Sequence, residues 1–171
     1  MKRYQVLIII SVLGFTLIGL TYVPYGQVLS IEYENSGDVL VYTDVEHGTE
    51  FEVEYTHSVH RTPVIEYYEV NNLSEIVQTD LAYENFAIGM PSNATGEEKF
   101  IVKDGVYYIT DMNRVFSHVD LRTGQVIADH SLKVGQKQIQ LKDWIEPGTW
   151  IRLKVRPISL WQRLKGDDIH G

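Results

Sequence analysis

From residue 28 onward, short runs of alternating apolar and polar residues are separated by turn-forming clusters. That pattern reads as strands with one face turned inward. Val28 to Tyr33 is the first run, and Asn35-Ser36-Gly37-Asp38 breaks it. Val39 to Val45 follows and stops at His47-Gly48. Phe51, Val53, Tyr55 and His57 then fall on one face of a strand, with Glu52, Glu54, Thr56 and Ser58 on the other. Val64, Glu66, Tyr68 and Val70 alternate against Ile65, Tyr67 and Glu69 in the next. Leu73 to Ala87 fits both periods, and its strand neighbours tip the reading to strand. Phe100–Val102 and Val106–Thr110 flank Lys103-Asp104-Gly105 as a hairpin. Val115–Leu121, Leu132–Val134, Gln138–Leu141 and Trp150–Val155 complete the set. Many short strands at regular spacing predict an all-β fold, an antiparallel sandwich or barrel-like domain.

The N-terminus breaks this rhythm. Met1-Lys2-Arg3 precedes an uncharged stretch whose apolar heart runs from Val6 to Val23. Its length suits a bilayer span, and the two basic residues favour a cytoplasmic start with the rest exported. Thr21-Tyr22-Val23-Pro24-Tyr25-Gly26 lacks the small-residue pattern of a cleavage site, so a signal anchor is preferred to a cleaved signal peptide. The domain then lies outside the cytoplasm, single-pass and anchored, or secreted if the leader is cut. The chain divides into an anchor or signal at 1–26, an all-β domain at 27–156 and a basic tail at 157–171. Arg152, Lys154, Arg156, Arg163 and Lys165 fall between Ile151 and Lys165 with no acid among them. The tail reads either as a short amphipathic helix or as a frayed end anchored by Trp161. The small apolar face favours the frayed end.

Charge and cysteine content narrow the classes. The formal net charge is −8, and the exported part is more acidic still because Lys2 and Arg3 precede the leader. Such a surface repels nucleic acid. With no cysteine, disulfides, thiolate metal sites and thiol nucleophiles are excluded.

One run is chemically out of place. The connection between the strands ending at His57 and starting at Val64 is Ser58-Val59-His60-Arg61-Thr62-Pro63, where Gly, Asn or Asp would serve a plain turn. Arg61 offers a planar fork for carboxylate or phosphate. His57, Ser58 and Thr62 supply polar contacts, and Pro63 restrains Thr62. Glu66, on an apolar face, requires a partner if buried, and Arg61 or a histidine would serve. Arg114, Phe116 and His118 share a face of a later strand and repeat the basic-plus-His theme. Gly89 and Pro91 read as loop-shaping residues. The candidate ligand-binding set is therefore His57, Ser58, Arg61, Thr62, Glu66, Arg114 and His118.

His57, His60, Glu66 and His118 are zinc ligands by type, but their spacing matches no metal motif. Neither metal nor cofactor is expected. Neighbours on a strand point to opposite faces, so His57 is badly placed to activate Ser58, and no Gly-x-Ser-x-Gly is present. Binding is thus preferred to catalysis. The rival readings are a metal-dependent or serine hydrolase and a purely structural partner of a membrane protein.

Tyr55-Thr56-His57-Ser58-Val59, with Thr62-Pro63-Val64-x-Glu66 behind it, resembles a bacterial family of unknown function, domain of unknown function 1850. Gly89-x-Pro91 and Arg114–His118 look similar too. The resemblance implies an association with TRAP transporters of the TAXI type, which import small organic acids. The expected partners are then the transporter permease or its solute-binding protein, besides the membrane reached through residues 1–26. The family supplies no catalytic or ligand residues, and Ile65 stands where it commonly has an aromatic.

Overall fold

The computed structural model describes residues 3–84, 90–125 and 129–169. Its elements in chain order are α1 (Arg3–Thr21), β1 (Pro24–Tyr33), β2 (Val39–Asp44), β3 (Glu50–Thr56), β4 (Pro63–Val70), β5 (Ile76–Tyr83), β6 (Lys99–Lys103), β7 (Val106–Thr110), β8 (Arg114–Phe116), β9 (Val119–Arg122), β10 (Ser131–Val134), β11 (Lys137–Gln140), β12 (Trp150–Ser159), α2 (Leu160–Lys165) and β13 (Asp167–Asp168). α1 buries no residue and is long and apolar enough to cross a membrane. Nineteen residues at 1.5 Å each give roughly 28 Å, close to a hydrocarbon core.

The strands form two sheets. The first has the order β13-β2-β1-β12-β9. The second runs β11-β10-β3-β4-β5-β7-β6, with β8 added beside β5. The alternation read from the sequence sets which face turns inward. Leu29, Ile31, Val41, Ile151, Leu153 and Val155 of the first sheet meet Phe51, Val53, Tyr68, Val70, Leu132 and Val134 of the second in one buried cluster. Phe51 and Tyr68 stack across β3 and β4 with ring centres 5.1 Å apart. A second cluster (Val64, Leu81, Tyr83, Ile109 and Met112) fills the end of the second sheet near the β3–β4 turn. The fold is all-β behind one apolar helix.

Two expectations change. The run Val115–Leu121 is not one strand: β8 pairs with β5 in the second sheet and β9 with β12 in the first. Ser117-His118 is the corner between sheets, so His118 does not continue the face of Arg114 and Phe116. Period-two patterning is identical on either side of such a corner, which is why sequence does not reveal it.

The tail is also ordered into the fold rather than frayed. β12 runs on to Ser159, past the boundary drawn at 156. Ser159 then caps α2: its hydroxyl accepts the Gln162 N–H, and the Gln162 side chain accepts the Ser159 N–H. That reciprocal box satisfies two donors at the helix start. β13 pairs in parallel with Val41 and Tyr42 of β2, and Ile169 is buried in the main cluster.

Candidate functional site

The β3–β4 turn is held by its backbone. The His57 N–H donates to the Thr62 carbonyl at 2.8 Å, and the Arg61 N–H to the His57 carbonyl at 2.9 Å. The Val59 N–H donates to His57 Nδ1 at 3.3 Å. That contact makes Nδ1 the acceptor, so the neutral ring carries its proton on Nε2. The His57 and His60 rings lie 5.9 Å apart. Arg61 takes φ of 55°, a left-handed conformation that costs a side-chain-bearing residue about 1–2 kcal/mol. Ser58, Val59, His60 and Arg61 are exposed, while His57, Thr62 and Pro63 are half-buried. Among the described residues Arg61 has no ion pair. The turn thus presents a guanidinium to solvent on a hydrogen-bonded frame.

Glu66 is two positions below the turn on the inward face of β4. Its cross-strand partners are Val53 and Leu81, and Val64 and Tyr68 flank it on its own face. Burial among these apolar groups pushes its carboxyl above the ordinary glutamate range, and a hydrogen bond from Tyr68 opposes that in part. The Tyr68 hydroxyl donates to Glu66 Oε2 at 2.7 Å. The partner of Glu66 is therefore a tyrosine rather than Arg61. Burial, and secondarily the Glu66 charge, push the Tyr55 hydroxyl up to about 12. The Tyr68 hydroxyl is pushed up for the same two reasons.

His130 joins this group. Its ring stacks on Tyr55 at 5.1 Å between centres, and the residue is 8% exposed. Sequence reading passed over it, yet a signal was present. His130, Leu132 and Val134 share the phase of an inward face, so a buried histidine was legible there. Tyr55, Glu66, Tyr68 and His130 together form a polar layer inside the sandwich, beneath the turn that carries His57.

The remaining candidates lie elsewhere. Arg114 is level with Gln78, beside the part of β5 that pairs with Tyr68. Five strand residues separate Tyr68 from Pro63, or roughly 17 Å. Arg114 is bound there to Glu98, with Nε and a terminal nitrogen 2.9 and 2.8 Å from Oε1. The Thr95 N–H contributes most to holding the Glu98 carboxyl below its usual range. His118 sits at the corner between sheets. Its Nδ1 is 3.1 Å from the Ser117 hydroxyl, and its Nε2 is 3.8 Å from Asp120. This is a triad in outline only. Asp120 is gripped by Arg152 through Nε at 2.7 Å and a terminal nitrogen at 2.9 Å, and that contact lowers its pKa. Pro91 accepts the Tyr83 hydroxyl through its carbonyl, and Gly89 lies outside the described residues. The structure brings His57, Ser58, Arg61 and Thr62 together at the turn. It puts Glu66 beneath them and separates Arg114 and His118. Among the described residues, no three His, Asp or Glu side chains gather as a metal site.

The fold and the turn define a β-sandwich domain carried behind an apolar helix, with a polar hairpin tip. The chain belongs to the family described as Domain of unknown function (DUF1850), whose model matches residues 51–141. That region holds the second sheet, apart from Glu50 at the start of β3, together with the hairpin tip, and leaves out β1, β2, β12 and α2. No curated protein and no solved structure matches the chain.

Proposed function

We propose that this protein is a membrane-tethered accessory domain on the outer face of the cytoplasmic membrane, serving a TRAP-type solute transporter by binding carboxylate at the β3–β4 turn. The observation that carries this reading is the presentation of Arg61: exposed, without an ion pair among the described residues, and fixed by backbone hydrogen bonds on both sides of the turn. A guanidinium carried on a backbone held in one conformation suits bidentate recognition of a carboxylate. His57 and His60 stand on the same turn, with their rings 5.9 Å apart. The length and apolarity of α1 support the tether. Lys2 and Arg3 before it support export of the domain. The link to transport rests on the family resemblance, and the carboxylate chemistry fits the organic acids such transporters carry.

The test uses the full chain in lipid nanodiscs, titrated calorimetrically with mono- and dicarboxylates. Binding heat is expected from the native chain. Arg61→Gly removes the guanidinium while suiting the left-handed backbone, so its melting temperature should hold or rise. Its affinity should fall tenfold or more. Equal binding by native protein and variant, or no heat from either, would overturn the proposal.

A further inference from the structure

We infer that the exposed face of α2 is a foot that rests in the lipid headgroup region beside the exit of α1. The chain register argues for it. α1 leads almost directly into β1 at Pro24, and β12 leads directly into α2 at Ser159. Pro24 and Ser159 are cross-strand partners in the β1–β12 ladder, and Tyr25 pairs with Ile158. Paired residues on such a ladder are only about 5 Å apart. Wherever α1 leaves the bilayer, α2 must therefore begin at nearly the same height. The Tyr22 and Trp161 rings meet at 5.8 Å.

The helix is two-sided in the way this position requires. Arg163 turns toward the domain, where it pairs with Asp44 and lies over the rings of Tyr25 and Tyr42. Leu160, Trp161, Leu164 and Lys165 share the other face, at spacings that are neighbours on a helix. Leu160 is 39%, Trp161 41% and Leu164 73% exposed. Three large apolar side chains facing water on so short a helix are costly, and an apolar neighbour relieves that cost. Lys165 reaches over the Trp161 ring at 5.0 Å, with its ammonium free to extend toward a phosphate. Tyr22 and Tyr25, also exposed, complete an aromatic group of the kind found at membrane interfaces. The occupant is the bilayer itself. Because the contact is mainly apolar and aromatic, it needs no anionic lipid.

The inference rests on α1 spanning the membrane, and the experiment separates the two claims. The full chain is reconstituted in phosphatidylcholine vesicles with bromine on the acyl chain near the headgroup, and tryptophan quenching is compared between the native chain and Trp161→Phe. Resistance to carbonate extraction reports α1 insertion. The expected result is resistance in both proteins, with a quenched, blue-shifted component in the native chain that is missing from Trp161→Phe. Resistance with equal quenching in the two would overturn the foot and leave the span standing, as would a Trp161 covered by a protein partner instead. Extraction by carbonate would overturn both.

Discussion

Arg156→Met should destabilise the domain by about 3–5 kcal/mol, read by urea unfolding of the full chain in micelles. Glu32 is 3% exposed and lies between the β2 and β12 partners of β1. Arg156 Nη1 meets its Oε1 at 2.7 Å, and the Ser30 hydroxyl is 3.3 Å from the same oxygen. Removing the guanidinium leaves a buried carboxylate with one weak donor, and desolvating that charge dominates the cost. The strand itself is unharmed, since Met packs as well as the Arg stem. A second change, Glu32→Gln, should therefore recover most of the loss. If the double variant is as unstable as the single one, the pair acts through packing, not charge. The pair also binds the first strand of the domain to the last long one, so its loss should loosen the first sheet before the second.

Tyr68→Phe should cost about 2 kcal/mol in the alkaline arm of the stability profile, where Glu66 is ionised and loses its donor. Glu66→Gln should act in the opposite sense. Burial raises the folded pKa of Glu66 above its unfolded value, so the folded state holds the proton more tightly. The Glu66 contribution is then most favourable below the unfolded value and falls as pH rises through the folded one. Glu66→Gln removes that fall. Variant and native should be alike in acid, and the variant more stable by on the order of 1 kcal/mol above the folded pKa. The Tyr68→Phe penalty should shrink in acid over the same window. Thermal melts from pH 3 to pH 9 would show both, and parallel profiles for all three proteins would refute the assignment of Glu66.

The sequence was most readable where burial and alternation agree. Phe51–Val53–Tyr55 and Val64–Glu66–Tyr68 lie on the faces their spacing demands, and Lys103-Asp104-Gly105 turns as its residues require. The strand reading of the ambiguous segment holds for Ile76–Tyr83. Long-range choices were not readable. Alternation says nothing about which strand lies beside which, so the split at Ser117-His118 and the parallel β13–β2 pair escaped. α2, one of the two readings of the tail, ranked behind a frayed end because one and a half turns offer too few positions for a helical period, although Ser159 and Gln162 already spelled its cap. In the candidate site, the turn was legible from its odd residue types. The partner of Glu66 was not, because Tyr68 on the same strand face reads equally well as plain core.

The pairing of Pro24 with Ser159 has a consequence for how this protein is made. Partners 135 positions apart cannot meet until everything from β1 through β12 has been synthesised. Until then β1, tethered by α1, waits with its β12 edge open, while the hairpins of the second sheet can close as they emerge. Contacts this distant in sequence close slowly. The first sheet is thus the late step of folding and the stretch where an incomplete chain is most open to proteases and to mispairing with its neighbours.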